Sequence, residues 1–135
     1  MLKKAQIALE YIIVVAFAIG VLTPILLYVN QSLNEYREGN NLILAKNSVT
    51  KIGQIADWVF SQGPPAKMEI EVYIPQGIEE IRIEEKVILF RIKTSAGISD
   101  VYYLTLSNVS GSISPIPGYT KVKIEAFETN VTVSD

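Results

Sequence analysis

Residues 12–29 read IIVVAFAIGVLTPILLYV, eighteen consecutive positions without a charge. As a helix, such a run spans about 27 Å, the thickness of a bilayer's hydrocarbon core. Tyr11 and Tyr28 bracket it, where interfacial aromatics belong. Lys3 and Lys4 precede it, so the basic side stays cytoplasmic and the following chain is exported. A secretory signal is the plainer alternative, but its apolar region is about 7–15 residues long and ends at a small-x-small cleavage site. This run is longer, and Asn30-Gln31-Ser32-Leu33 after it offers no such pair. The segment therefore reads as a retained span. In a chain of 135 residues it leaves room for one further small domain.

The rest of the composition narrows the function. Twelve Lys+Arg against fourteen Asp+Glu give a net charge of −2, which argues against nucleic acid as a partner. The absence of Cys excludes disulfides, thiolate metal sites and a Cys nucleophile. The absence of His removes the commonest general base and metal ligand. No G-x-S-x-G or glycine-rich phosphate loop occurs. The chain reads as a non-enzyme without a cofactor or metal. At 49% hydrophobic and 19% charged it is oily, so part of it should meet lipid or a partner.

One charge sits at the mouth of the oil. Glu10 lies between Leu9 and Tyr11. A carboxylate deep in lipid costs about 2.5–3.5 kcal/mol on insertion scales, unless it reaches the headgroups. Its neighbours form Lys3-Lys4-Ala5-Gln6-Ile7-Ala8-Leu9-Glu10-Tyr11: a basic pair, a small residue, then Q-x-A-x-E-Y ahead of the apolar run. This resembles the class III signal peptide of archaeal type IV pilins, whose motif is Q-x-S-x-E-[YF]-like. Ala8 stands where that family more usually has Ser, a small-for-small departure. The resemblance implies cleavage by a prepilin peptidase between Ala5 and Gln6, on the cytoplasmic side. Residues 1–5 are then a leader, Gln6 the mature N-terminus and Glu10 the fifth mature residue. It further implies that the Glu10 carboxylate meets the free amine of a neighbouring copy and sets the register between subunits. In a low-dielectric filament core such a pair attracts strongly.

The span is predicted to occupy residues 6–29 and to continue as an amphipathic helix over residues 30–62. Leu42, Ala45, Val49, Ile52, Ala56 and Val59 recur at steps of three and four, a core-facing stripe. Val29, Leu33 and Tyr36 make a shorter one. Glu38-Gly39-Asn40-Asn41 between them predicts a bend or short break. Gly63-Pro64-Pro65 is the stop. Inside the span, Pro24 cannot donate to the Gly20 carbonyl. This reads either as a mild kink or as a hinge used on passing from bilayer to filament.

Residues 66–135 change to period two. Met68, Ile70, Val72 and Ile74 alternate with polar residues, and Pro75-Gln76-Gly77 turns. Residues 81–83 and 87–94 form a strand pair around Glu84-Glu85-Lys86, and Ser95-Ala96-Gly97 turns again. Residues 101–106, 122–127 and 131–133 read as strands, and residues 111–118 as a loop. The predicted fold is α+β: a long N-terminal helix followed by a small antiparallel β-sandwich-like head packed on its second half. The ending around Gly118-Tyr119 and Val122-Lys123-Ile124-Glu125 also resembles small euryarchaeal pilins.

Three N-x-[ST] sequons, at Asn30, Asn108 and Asn130, are glycosylation candidates, Asn108 being favoured for its expected place in a turn. Glu79, Glu80, Glu84 and Glu85 lack the spacing of a cation loop and read as a solvated face. Asp100, Tyr102 and Tyr103 read as sheet-face packing ahead of an adhesive patch. The resemblance implies a subunit of an archaeal surface filament, typically adhesive. Its partners are prepilin peptidase, copies of itself, the cytoplasmic membrane before assembly and a pilus assembly platform. The head is then extracellular, its surface ligand unspecified. The alternatives are a minor pilin presenting its head as a binding module and an uncleaved membrane-anchored exodomain.

Overall fold

The computed structural model describes residues 2–135. They form one helix, α1 (Leu2–Gln62), and seven strands: β1 (Lys67–Ile74), β2 (Ile78–Glu84), β3 (Val87–Thr94), β4 (Gly97–Leu104), β5 (Asn108–Ser112), β6 (Gly118–Ala126) and β7 (Asn130–Ser134). The chain divides into two compact units, Met1–Arg37 and Glu38–Asp135.

In the first unit every side chain from Lys3 to Gln31 is exposed. This stretch is apolar all round rather than striped, so one face cannot be hidden while another meets water. Two of its polar side chains bond within the helix: Thr23 Oγ1 donates to Ile19 O (2.8 Å) and Asn30 Nδ2 to Leu26 O (3.1 Å). Such i−4 bonds satisfy these two groups without a partner from outside the helix.

The second unit is an α+β sandwich. One sheet has the order β1-β6-β7-β5, the other β2-β3-β4. The stripe on α1 is its spine: Ala45, Val49, Ile52, Ala56 and Val59 are fully buried, packed with Phe90, Ile88, Ile92, Val122 and Ile124 from the inner sheet faces. Burial of each Val, Ile or Phe among them stabilises the fold by about 1.5–3 kcal/mol, and of each Ala by less. Leu42 is only partly buried against this core.

α1 also covers sheet edges. Ser48 Oγ donates to Tyr73 O (2.5 Å) and Lys51 Nζ to Glu71 O (2.7 Å), occupying carbonyls of edge strand β1. On the β4 side, Asp57 accepts from Tyr103 OH (3.1 Å) and Leu106 N (2.7 Å). Across the sandwich β2 lies against β5, and Val109 N donates to Glu85 O. The helix ends at Gly63, whose φ of 72° closes the last turn by donating to Phe60 O (3.0 Å).

Four expectations need correction. Residues 38–41 are helical without a break. Glu38 is held there by Ser95, whose N and Oγ donate to its carboxylate at 3.1 and 2.9 Å. Gly39 in a helix costs only about 1 kcal/mol relative to Ala, which a 61-residue helix absorbs. The boundary between the two compact units nevertheless falls at Arg37/Glu38, beside the polar interruption seen in the sequence.

The head is not wholly antiparallel, since β5 and β7 pair in parallel. The proline-bearing segment between β5 and β6 cannot turn as a tight hairpin, and the C-terminal strand enters between them. The parallel contact needs Gly111. Its φ is +141°, and a Cβ there would lie 1.8 Å from Val133 O. β5 itself, Asn108-Val109-Ser110-Gly111-Ser112, falls outside the expected strands and takes Gly111 and Ser112 from the expected loop, because one buried Val among polar residues gives almost no alternation signal. Finally, Asn108 opens a strand rather than sitting in a turn.

Candidate functional site

The residues singled out in the N-terminal motif all lie on α1. Lys3, Lys4, Ala5, Gln6, Ala8, Glu10 and Tyr11 are helical and exposed. Gln6 and Glu10, four apart, share a face one turn from each other. Beyond them Ile7, Leu9, Ile12, Ile13, Phe17 and Ile19 are each more than half exposed. Tyr11, Ile12, Val15 and Ile19 frame a shallow groove floored by Ala16. This is an apolar surface with one carboxylate at its end, exposed throughout among the described residues. It contains a segment long and apolar enough to cross a membrane, none of it buried. Pro24 lies inside the helix, and a Cβ placed on Gly20 would meet no atom beyond the helix's own backbone within 4 Å among the described residues.

The head carries a different chemistry. On the outer face of its three-stranded sheet, Glu80, Arg91 and Asp100 occupy one cross-strand row. Arg91 pairs with Asp100 (Nε–Oδ1 2.9 Å) and with Glu80 (Nη1–Oε2 3.1 Å). The guanidinium hydrogen bond holds the Asp100 carboxyl below its ordinary range. Glu79 approaches Lys93 and Glu80 also meets Arg82, so half of the acidic cluster is engaged with bases on a solvated face. Among the described residues no group of three or more acidic side chains is arranged to hold a metal.

Strand alternation separates the two tyrosines. Tyr102 faces outward with Leu104, while Tyr103 turns inward. Burial, and then the Asp57 hydrogen bond, raise the Tyr103 phenol above its ordinary pKa. Tyr103 lies directly on Gly53: a Cβ there would sit 2.0 Å from the ring. Neither Gly53 nor Asp57 belongs to a sequence motif, and the isolated Gly beside Ile52 in the core stripe is the one local sign of a close approach. Asn108 is exposed, Asn130 half-buried, and Asn30 lies in mid-helix.

Comparison with protein-family models, with characterised proteins and with solved structures finds no match to this chain.

Proposed function

We propose that the chain is a structural subunit of an archaeal type IV pilus-like surface filament. In this reading a prepilin peptidase cuts it before Gln6, and it waits in the cytoplasmic membrane with its head outside. An assembly platform then polymerises it through its N-terminal helices. The observation that carries the reading is the all-round exposed apolar helix of residues 3–31, led by the Q-x-A-x-E-Y motif, beside a head whose own core is complete without it. A lipid bilayer can cover such a helix first, and neighbouring helices later. Hydrophobic burial supplies the cohesion, and heterologous contacts that do not close give a helical polymer. Glu10 would then meet the new α-amine of a neighbour, fixing axial register.

The test is Glu10→Gln and Glu10→Ala in cells. Both variants should insert in the membrane and lose surface filaments; normal filament yield from either refutes the register role. A second reading, a minor pilin acting as a binding module, draws support from the outward apolar group Tyr102, Leu104 and Leu106 on the head. The two separate by abundance, because a filament subunit dominates sheared filaments and a tip module does not.

A further inference from the structure

Placed on the fold, the three sequons occupy unlike environments. Asn30 lies within α1 with its amide committed to Leu26 O. Asn108 and Asn130 open β5 and β7, and the parallel register sets their triplets side by side: Asn108 opposite Asn130, Val109 opposite Val131, Ser110 opposite Thr132. Both valines are buried, so both asparagines and both hydroxyls point to the outer face. Neighbouring strands lie about 4.8 Å apart, which makes the two amides a single patch of surface.

The two amides are not equivalent. Asn130 is half-buried on an inner strand, and its Nδ2 donates to Ser110 Oγ at 3.4 Å. Asn108 is exposed on an edge strand, and among the described residues its side chain has no hydrogen-bond partner. β5 has one ladder neighbour, β7, and beyond it a single backbone bond from Val109 N to Glu85 O, so it opens locally at lower cost than the inner strand β7.

We propose that the paired triplets form one modification site, N-glycosylated once per chain, at Asn108. The donor is an oligosaccharide activated as a phosphate ester at its anomeric carbon. Nδ2 of Asn108 forms the new bond to that carbon, and the carbon–oxygen bond to the phosphate breaks. The phosphate leaves with the bonding electrons, and one amide proton passes to the transferase's base. A glycan there covers Asn130 and shields the polar β5 edge. The inference rests on the proposed function only in placing the sheet on the exported side.

The experiment is intact-mass and glycopeptide mass spectrometry of the full chain from its own cells, as native sequence and as N108Q, S110A and N130Q. One glycan on Asn108 is expected, lost completely in N108Q and S110A and retained in N130Q. A glycan on Asn130 in any variant, on both residues, or on neither in the native chain overturns the proposal. If a variant fails to fold, the native glycopeptide map alone still decides. The same spectra report the N-terminal residue. A chain cut at Gln6 without a glycan sinks only this inference, and a glycosylated chain keeping residues 1–5 sinks only the filament reading.

Discussion

Two stretches of one helix are equally apolar in places and have opposite fates. Over residues 45–59 a stripe of apolar side chains at steps of three and four, Ala45, Val49, Ile52, Ala56 and Val59, vanishes into the sandwich with no exposed surface. Over residues 7–29 the apolar side chains fall at every angle, and Phe17 keeps 74% of its surface. A stripe marks a helix that its own chain can cover. An all-round surface marks one that only lipid or other chains can cover. The charges follow the same division. The second stretch carries Lys51 and Asp57, each bonded to a strand or loop, and an exposed Lys46, whereas the first carries Glu10 alone at its mouth.

The sharpest way to break this contrast is to truncate one phenylalanine in each region. Phe90→Ala should destabilise the head by about 3–5 kcal/mol, read as the denaturant unfolding transition of the full chain in detergent. Phe17→Ala should leave that transition within about 0.5 kcal/mol. Comparable losses from both would mean that the first stretch packs within the chain after all. A smaller effect is expected at the contact that seats the helix on β4. Gly53→Ala should cost about 1–3 kcal/mol from overpacking against Tyr103, less roughly 1 kcal/mol regained as helix propensity. Combining it with Tyr103→Leu should recover part of the loss, a non-additivity expected only of touching residues.

The smallest effect is the alkaline limb of stability. The folded Tyr103 pKa lies above the ordinary 10.0, so the unfolded chain loses this proton first. The stabilisation is full below pH 10 and fades as pH rises through the folded value. Tyr103→Phe should flatten that limb, and an unchanged slope would show that Tyr103 is not held protonated by its burial.

Much of this architecture could be read from periodicity. The core stripe of α1, its stop at Gly63-Pro64-Pro65 and the β2–β3 hairpin all follow from local pattern and turn chemistry. The parallel β5–β7 pair could not be read, because register between distant strands leaves no local trace and Val109 is β5's one buried side chain. The unbroken helix through Gly39 was hidden for a related reason: Ser95, fifty-seven residues away, holds Glu38. In the candidate site, the motif from Lys3 to Tyr11 was visible as residue types. That Asn108 and Asn130 lie abreast, one amide engaged and one free, needed three dimensions.

The most direct test of the central claim is mass spectrometry of the N-terminus of the protein sheared from the cell surface. The filament reading predicts an abundant species that begins at Gln6 in the sheared fraction. A chain that remains in the membrane with residues 1–5 attached contradicts it and leaves an anchored exodomain in its place.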